Sequence, residues 1–526
     1  MDEERSNLIF WSSVACVAIW GWSSLPVIHH PLGSDWGHYF TVAEYIWDPS
    51  EGLAYPDFRK PWYGWLIGGL GQVFGYFQAA QFIGRLSMVL MVFAAALLGS
   101  ALSGRVAGFA SCIAVPLMPL VMDGALWVNH YPLLGATVGL AVASGAVSVR
   151  SPSWRWAAVA GLFAGASFAI DVRGSVAVPM VGALVFVGGL RHGWRQLAKR
   201  IALTIFFVGA VLGHDIWLQS AFQVPQLEFA RQLEVQRKGT LEQIERGVFD
   251  VPGLQSACQG QVVRQLAWAD LDSKCGEVLA ESSRRRLSAL RIVPFDKLFW
   301  GLPLLLIPMY RRDRWRWEST LASCVVFGAP LVSLWIGMRW VTYFDRYMLP
   351  FAAIMACAAP VAFGRLVQLT SPILPRARNI VSIAAGAGAI WFSIGVWPGW
   401  GARALDAPEL ARSSEYHAGI FAKWVRESIR VNDVVIDCAG LAVDSLTLPD
   451  KIDYVGFPPG DSQCETLIES PKTHTGTVYL ITMHRDLPPQ YSRTQLAFNP
   501  KAISALGWEP VQHGMKVEGF RLWKYR

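Results

Sequence analysis

The sequence predicts a polytopic α-helical membrane protein with external juxtamembrane helices and a small C-terminal α/β domain. Of its 526 residues, 53% are hydrophobic and only 16% are charged, a balance too apolar for one soluble domain of this length. The Lys and Arg residues, which leave a formal net charge of +7, fall mostly in short gaps between apolar runs. In those gaps they act as orientation signals for membrane insertion, so the charge does not by itself indicate an acidic partner.

Eleven apolar and almost uncharged stretches are candidate spans, which predicts about 11 transmembrane helices. The first has no convincing small-residue cleavage site, so we expect it to stay in the protein as an anchor. In chain order the stretches are residues 8–28, 86–104, 106–122, 131–149, 156–170, 174–190, 201–217, 298–310, 319–337, 347–364 and 380–398. A twelfth uncharged stretch, residues 61–84, is also long enough to cross, and hydropathy alone does not exclude it.

The distribution of basic residues decides between eleven and twelve spans. With eleven spans and the N-terminus inside, the arginine-rich gaps all lie in the cytoplasm, whereas a span at 61–84 would place them outside, against the positive-inside bias. We therefore interpret 61–84 as a juxtamembrane or re-entrant segment, which makes 33–84 one external loop and the C-terminus external. The gaps contain Arg105, Arg150, Arg155, Arg191, Arg195, Lys199, Arg200, Arg311, Arg312, Arg314, Arg316, Arg365, Arg376 and Arg378.

Two domains are expected. The membrane domain, residues 1–400, contains the first external loop at 33–84 and a second large external loop at 220–296 that is polar and helix-prone. Residues 401–526 have the composition of a soluble extracytoplasmic domain. There, EYHAGIFAKWVRESI is typical of an amphipathic helix, and DVVIDC, TVYLITM and FRLWKY are typical of strands, so a small α/β unit is predicted.

Four of the eight cysteines lie in the predicted external regions, two in each. Cys258 and Cys275 share the 220–296 loop, and Cys438 and Cys464 share the C-terminal domain. An even pair in each piece favours one disulfide per piece in an oxidising compartment over free thiols. Neither pair has the close C-x-x-C spacing of a zinc site. The remaining cysteines fall within apolar spans, at Cys16, Cys112, Cys324 and Cys357.

Residues 33–63, GSDWGHYFTVAEYIWDPSEGLAYPDFRKPWY, concentrate acidic, basic and aromatic groups between two long apolar stretches. Asp35 follows the first span almost directly, and a carboxylate at the lipid boundary is a functional candidate because ionisable groups there are costly unless used or paired. The alternative is that Asp35 only caps a juxtamembrane helix. His38, Glu44 and Asp57 are further candidate site-lining residues of this loop.

Residues 29–44 also contain side chains that can bind a metal ion. His29, His30, His38 and Glu44 carry metal-ligating groups, but no signature such as H-E-x-x-H is present. A structural role is the simpler interpretation for each of them. The sequence therefore leaves a divalent metal cofactor unassigned.

Several cations lie at predicted external helix ends, against the positive-inside bias, and so need an explanation. Lys60 stands immediately before Pro61 at the membrane surface, where its ammonium could bind a lipid phosphate, the alternative being an ordinary snorkelling lysine. Gathered around one site, such cations would neutralise an anionic headgroup. The others of this kind are Arg85, Arg173, Arg339 and Arg346.

Four stretches carry a family resemblance. They are SDWGHYFTVAEYI, KPWYGWLIGGLGQVFG, GRLSMVLMVFAAALLGSALSGRVAGFASCIAVPLMPL and DRYMLPFAAIMACAAP. In this order they resemble the C-type (GT-C) polytopic glycosyltransferases, most closely the branch with protein mannosyltransferases and lipid A aminoarabinose transferases. The resemblance runs over most of residues 8–370, and the tail is similar to the soluble extracytoplasmic domain of many members.

The resemblance implies a glycosyltransferase of the bacterial plasma membrane that moves a sugar from a polyprenyl-phosphate donor to an extracytoplasmic lipid, glycan or protein, with inversion. It implies that Asp35 is the general base and that Lys60, in the family's K-P motif, binds the donor phosphate. Members often have an aspartate after the third span, where this chain has WVNHYPLL. Asn129 and His130 are therefore candidate site-lining residues, and a second catalytic carboxylate is not assigned.

Two other classes of function are alternatives. A lipid or solute transporter would also place charges near external helix ends, but transporters tend to bury paired ionisable groups at mid-membrane and to show repeat symmetry, which the sequence lacks. A glycan polymerase or ligase acting on lipid-linked oligosaccharide would place its catalytic residues in a large late external loop such as 220–296. Because the acidic and aromatic residues concentrate in the first loop, the transferase is favoured.

Overall fold

The computed structural model describes most of the membrane region and parts of the C-terminal region. The described residues are 2–25, 36–47, 60–126, 128–223, 237–238, 240–241, 244, 253–259, 273–289, 309–311, 314–340, 345–370, 428–430, 433–438, 453–456, 462–471, 476–483, 500–511 and 520–525. The predicted span at 380–398 and residues 298–308 of another predicted span lie outside this set.

α-Helices account for most of the described membrane region. In chain order they are α1 (Asp2–Ser24), α2 (Trp36–Trp47), α3 (Pro61–Phe74), α4 (Tyr76–Ser103), α5 (Arg105–Ala114), α6 (Pro119–Leu126), α7 (Tyr131–Arg150), α8 (Arg155–Ile170), α9 (Ala177–His192), α10 (Trp194–Ala221), α11 (Leu254–Cys258), α12 (Lys274–Ala289), α13 (Trp317–Trp340) and α14 (Ala352–Thr370), with 3₁₀-helices at Val172–Val176 and Asp345–Phe351.

Six helical segments among the described residues are long and apolar enough to cross a membrane, as expected for an integral membrane protein. They are Tyr76–Ser103, Tyr131–Arg150, Val172–His192, Trp194–Ala221, Trp317–Trp340 and Tyr347–Val367. α5 and α8 are shorter apolar helices of the same bundle.

Three glycines in the left-handed region of backbone space divide consecutive helices. Gly75 (φ 85°) separates α3 from α4, Gly104 (φ 100°) separates α4 from α5, and Gly193 (φ 92°) separates α9 from α10. A residue with a Cβ adopts such a φ only at a cost, so these positions fix where one helix ends and the next begins.

The ambiguous stretch at 61–84 is not one helix. Its first part is α3, whose 14 residues measure about 21 Å, less than the about 30 Å of a hydrocarbon core. The interpretation of a non-spanning segment therefore fits α3, but residues 76–84 are the first turns of α4. The predicted span at 106–122 is likewise divided, because α5 ends at Ala114 and α6 begins at Pro119.

Arginine side chains gather at one end of the helix bundle. Arg105, at the start of α5, donates hydrogen bonds to Ser6 and Asn7 near the start of α1. Arg150, at the end of α7, donates from Nη1 to the carbonyl oxygen of Ser100 at 3.1 Å. The Arg105 bonds join one gap predicted to be cytoplasmic to α1, and the Arg150 bond joins a second such gap to the last turn of α4.

Two fully buried arginines extend this end of the bundle. Arg200 donates to the carbonyl oxygens of Ser148 and Ser151 at 2.8 and 2.7 Å. Arg365 donates to Ser319 Oγ at 2.7 Å. Each guanidinium satisfies groups at the end of a neighbouring helix that would otherwise be buried without a partner. We call the end defined by Arg105, Arg150, Arg200 and Arg365 the arginine end.

Residues 33–84, predicted to form the first external loop, contain two helices that pack closely. A Cβ at Gly64 of α3 would lie 2.2 Å from Val42 Cγ1, and one at Gly68 would lie 2.1 Å from Trp47 Cδ1. Trp47 Nε1 also donates a hydrogen bond to the carbonyl oxygen of Trp65 at 3.0 Å. The glycines of α3 therefore allow it to pack directly against α2.

The described residues of the C-terminal region form a mixed sheet of five strands, β3 (Val434–Asp437), β4 (Asp453–Gly456), β5 (Val478–Met483), β6 (Trp508–Pro510) and β7 (Phe520–Tyr525), in the spatial order β4-β3-β5-β7-β6. β3, β4 and β5 are parallel, and β7 is antiparallel to β5 and β6. The strands predicted from DVVIDC, TVYLITM and FRLWKY are β3, β5 and β7, whereas most of the predicted amphipathic helix lies outside the described residues. The same region contains the short helices α15 (Ser462–Glu469) and α16 (Pro500–Ala505).

A short hairpin corrects one predicted span. β1 (Met309–Arg311) pairs antiparallel with β2 (Arg314–Arg316), so the described end of the predicted span at 298–310 is a strand. The two strands directly precede α13.

Both predicted disulfides are present. Cys258 of α11 is bonded to Cys275 of α12, and Cys438 at the end of β3 is bonded to Cys464 of α15. The four cysteines of the apolar helices are free, as expected.

Candidate functional site

A buried ion pair lies between the start of α3 and α10. Lys60 Nζ is 3.1 Å from Asp215 Oδ2, and the two side chains are only 6% and 4% exposed. Lys60 also donates a hydrogen bond to the carbonyl oxygen of Phe168 at 2.8 Å. Gln219 Nε2, one turn after Asp215, donates to the same carboxylate oxygen at 3.0 Å. This burial contradicts the alternative of a snorkelling lysine, because a snorkelling ammonium reaches water.

The local sequence explains how Lys60 reaches this position. Pro61 is the first residue of α3 and disfavours helical geometry in the residue before it, so Lys60 is extended (φ −74°, ψ 144°) and stands outside the helix. Its ammonium lies 4.5 Å from the centre of the Phe168 ring, near the end of α8. Three elements, α3, α8 and α10, therefore meet at this one cation.

A second polar cluster surrounds His130, directly before α7. The Tyr39 hydroxyl is hydrogen-bonded to His130 Nδ1, and His130 Nε2 is 3.0 Å from Asp171 Oδ2. A carboxylate only accepts, so Nε2 carries the proton of this bond, and in the neutral imidazole Nδ1 accepts from the tyrosine. Asn129 does not join this chain, since its Oδ1 accepts from the backbone N–H of Tyr131 at the start of α7.

Arg173 completes the cluster from the 3₁₀-helix at Val172–Val176. Its guanidinium is 3.6 Å from Asp171, donates to the Tyr131 hydroxyl at 2.7 Å and stacks 4.1 Å from the centre of the Tyr347 ring. Burial alone would raise the pKa of Asp171, but Arg173 and the hydrogen bond from His130 outweigh it and hold that pKa well below its usual range. The carboxylate is therefore ionised.

Tyr63 connects the two clusters. It follows Lys60 by three residues, and its ring centre is 4.9 Å from that of Tyr39 and 6.4 Å from that of His130. Both clusters lie at the end of the bundle opposite the arginine end, since α7 separates His130 from Arg150 by about 30 Å. We call this group the polar site, which consists of Lys60, Asp215, His130, Asp171 and Arg173.

Some predicted site residues cannot be compared with this geometry. Asp35, the predicted base, and Asp57 lie outside the described residues. Asp35 directly precedes α2 in the sequence, and Tyr39 follows it by four residues. His38 and Arg346 belong to α2 and to the 3₁₀-helix at Asp345–Phe351, but their side chains are outside the described set.

The other predicted site residues lie partly inside and partly outside the polar site. Of the predicted cations, Lys60 and Arg173 lie in the polar site. Arg85 lies 5.9 Å from a tryptophan ring of α1, and Arg339 lies 4.5 Å from a tryptophan ring of its own helix, α13. Glu44 is a half-buried residue of α2.

Neither carboxylate of the polar site was predicted from the sequence. Asp215 falls within the predicted span at 201–217, so it is a functional candidate for the same physical reason as Asp35, because an ionisable group in the membrane is costly unless used or paired. Asp171 stands two residues before Arg173. Nothing in the local sequence indicates that Asp171 would meet His130.

Metal binding finds little support in the described part of the chain. No group of three or more His, Cys, Asp or Glu side chains is placed there to hold a metal ion. His130 and Asp171 are two ligating groups, but the neighbouring guanidinium of Arg173 disfavours a further cation beside them.

Comparisons with known proteins show the fold. No protein-family model matches the chain, and no curated protein matches it. Two crystal structures of ArnT, an aminoarabinose transferase from Cupriavidus metallidurans, are similar to it: the apo state has a TM-score of 0.55 at 13% identity, covering 100% of this chain and 98% of that chain. The state bound to undecaprenyl phosphate has a TM-score of 0.53 at 12% identity, covering 98% and 97%.

A third similar structure comes from an archaeon. It is the apo oligosaccharyltransferase of Archaeoglobus fulgidus, with a TM-score of 0.50 at 13% identity, covering 95% of this chain and 73% of that chain. Like ArnT, this enzyme is a member of the GT-C family.

Proposed function

We propose that this chain, whose fold is that of the GT-C glycosyltransferases, transfers a sugar from a polyprenyl-phosphate donor to an extracytoplasmic acceptor. The acceptor is a lipid, a glycan or a protein. The observation that carries the proposal is the polar site, where a buried lysine and a tyrosine-flanked arginine lie at the same end of an apolar bundle. The likeness along nearly the whole chain to ArnT bound to undecaprenyl phosphate supports the same class of lipid.

The reaction forms a bond between the acceptor oxygen and the anomeric carbon and breaks the bond between that carbon and a phosphate oxygen. Asp35 takes the proton of the acceptor hydroxyl as the oxygen attacks. Polyprenyl phosphate leaves with the electron pair of the broken bond. A single displacement of this kind inverts the anomeric centre.

Lys60 and Arg173 bind the donor phosphate in this proposal. An ammonium has three N–H donors, and the described hydrogen bonds from Lys60 to Asp215 and Phe168 occupy two of them. The third is available to a phosphate oxygen. Arg173 is held in place by the Tyr131 hydroxyl, and the fixed N–H donors of the two cations position the phosphate for departure of the leaving group.

His130 and Asp171 have a supporting role. Asp171 orients His130, which accepts a hydrogen bond from Tyr39, and Tyr39 lies on the helix that Asp35 directly precedes. This chain of hydrogen bonds ties α2 to the start of α7. The proposed base and the proposed phosphate-binding cations are thereby kept on one framework.

The proposed orientation has eleven spans in a bacterial plasma membrane. The N-terminus and the arginine end face the cytoplasm, and the polar site, the 220–296 loop and the 401–526 domain face outward. The clustering of arginine-rich gaps at one end supports this orientation. The disulfides Cys258–Cys275 and Cys438–Cys464, in regions proposed to be external, support it as well.

The test measures donor cleavage, which does not require that the sugar be known beforehand. Purified full-length protein in lipid nanodiscs is incubated with a panel of synthetic undecaprenyl-phosphate pentoses and hexoses, with a membrane extract as the source of acceptors. We expect acceptor-dependent release of undecaprenyl phosphate from at least one donor. Movement of the intact donor between leaflets without cleavage of any donor would contradict the proposal and favour a transporter.

A further inference from the structure

The ammonium of Lys60 cannot act on a phosphate alone, because a carboxylate lies directly beside it. Asp215 Oδ2 is 3.1 Å from Lys60 Nζ, and both side chains are almost completely buried. The hydrogen bond from Gln219 holds the same carboxylate oxygen in place. A phosphate that binds Lys60 therefore also experiences the negative charge of Asp215 at short range, where little solvent screens it.

The cations of the polar site are both paired with carboxylates. Lys60 is paired with Asp215, and Arg173 is paired with Asp171. The charges of these four side chains sum to zero. A ligand with one negative charge is attracted by the cations, but a second negative charge finds no excess positive charge among these four groups and is repelled by Asp215.

The proposed donor and the spent lipid differ in their charge. The sugar-linked phosphate is a phosphodiester with a single negative charge. Polyprenyl phosphate is a phosphomonoester, and such groups carry about −1.5 to −2 charges at neutral pH. When the bond to the anomeric carbon breaks, the former bridging oxygen becomes a further anionic oxygen at the place where the sugar was attached.

We infer that Asp215 is a specificity-determining residue that lowers the affinity of the polar site for the polyprenyl-phosphate product relative to the sugar-linked donor. The inference rests on the proposed function. Repulsion between the Asp215 carboxylate and the additional phosphate charge favours departure of the spent lipid. After departure, Lys60 and Asp215 again neutralise each other, and the site is ready for the next donor.

A purely structural role of Asp215 leads to a different expectation. If the carboxylate only balances the charge of Lys60 so that α3 can pack against α10, its loss disturbs the position of Lys60 and affects every phosphate ligand alike. Discrimination between one and two ligand charges is therefore the property that separates the two roles.

The test compares undecaprenyl phosphate with its methyl ester, a phosphodiester that carries one charge and no sugar. Dissociation constants of both lipids are measured at pH 8 for the full-length wild type, Asp215→Asn and the charge-conserving control Asp215→Glu. We expect Asp215→Asn to improve binding of the monoester relative to the methyl diester by about tenfold, equivalent to about 1.4 kcal/mol. Asp215→Glu should keep the wild-type ratio.

Each other outcome is informative. Equal changes in both dissociation constants for Asp215→Asn would make Asp215 a structural residue and overturn the inference, while the proposed function would stand. If the wild type binds neither lipid, the proposed function itself is contradicted. If Asp215→Asn does not fold, the wild-type ratio decides, because a preference of more than about tenfold for the doubly charged monoester would overturn the inference.

Discussion

Lys60 combines two physical roles that a substitution affects separately. It neutralises Asp215 in a buried position, and in the proposed mechanism it presents an N–H donor to a phosphate. Removal of one partner of a buried ion pair leaves an uncompensated charge, whereas replacement of both partners by apolar residues is often tolerated. The stability of a variant therefore depends on whether the pair is kept balanced, and its activity depends on whether the cation is present.

Lys60→Met should destabilise the protein by about 3–5 kcal/mol, because Asp215 is left buried without its counter-charge. The double variant Lys60→Met/Asp215→Leu should recover most of this stability but no transferase activity. Thermal unfolding in detergent and donor cleavage are measured for both variants. Wild-type donor cleavage by the double variant would exclude Lys60 from the donor site. Lys60→Arg is the cation control and should retain partial activity, since the two cations differ in shape.

Asp35→Asn separates the general base from a helix cap. Asparagine keeps the shape and can still cap a helix, so stability should change by at most about 1 kcal/mol. Without a carboxylate the acceptor hydroxyl loses its base, and turnover should fall by roughly 10² to 10⁴-fold while binding of the donor persists. Asp57→Asn, in the same loop, is the matched control. Wild-type turnover in Asp35→Asn would move the role of base to Asp57 or Glu44.

At the scale of secondary structure, the contact between α2 and α3 positions the start of α3 and with it Lys60. Gly64 and Gly68 allow the close approach, because any Cβ there would overlap with side chains of α2. The region predicted to be the second external loop also contains a covalent cross-link: Cys258–Cys275 closes a short segment between α11 and α12. Changes at these points should affect these regions more than the bundle.

Gly64→Ala should destabilise the protein by about 1–3 kcal/mol and reduce donor cleavage, because the new Cβ meets the Val42 side chain and forces α3 away from α2. Gly182→Ala is the matched control. Gly182 is a helical glycine with open space around its Cβ position, so alanine there should be neutral or stabilising by up to about 1 kcal/mol. Equal thermal unfolding temperatures for the two variants would contradict the tight packing of α2 against α3.

Removal of the disulfides should weaken each of the two disulfide-bonded regions separately. The bond Cys258–Cys275 joins residues 17 apart and Cys438–Cys464 joins residues 26 apart. Replacement of either pair by serine should cost roughly 2–4 kcal/mol in the piece concerned. Peptide mapping under non-reducing conditions checks the pairing in the native protein. Cross-linked peptides that join the two pieces, or four free thiols, would contradict it.

For the molecule as a whole, the two ends of the bundle differ in chemistry. The arginine end holds guanidinium groups against helix-terminal carbonyl and hydroxyl oxygens. The opposite end holds the polar site, in which every described cation is paired with a carboxylate. An excess of basic residues at one end is the signal that orients a multi-span protein during insertion.

Reporter fusions should therefore find Arg312 in the cytoplasm and Arg526 outside. The first residue lies in an arginine-rich gap, and the second ends the domain proposed to be extracytoplasmic. A reporter that is active only in the cytoplasm and one that is active only outside are fused at each point. Finding both positions on the same side would contradict the eleven-span topology.

Composition and local pattern in the sequence were sufficient to predict several features of this protein. The apolar composition predicts a membrane protein, the β-branched and aromatic residues of DVVIDC, TVYLITM and FRLWKY predict strands β3, β5 and β7, and the location of Cys258 and Cys275 in one polar loop predicts their bond. Each of these features depends on residues that are close in the sequence or on the average solvent preference of a segment, so a single chain encodes it directly.

Only the tertiary structure decided how the polar site is assembled. Lys60 meets Asp215 across 155 positions, and His130 meets Asp171 across 41. These pairings depend on which faces of α3, α8 and α10 pack together, and hydropathy does not specify those faces because lipid and the bundle interior are both apolar. A carboxylate such as Asp215 can be recognised in the sequence as unusual, but its partner is determined by helix packing alone.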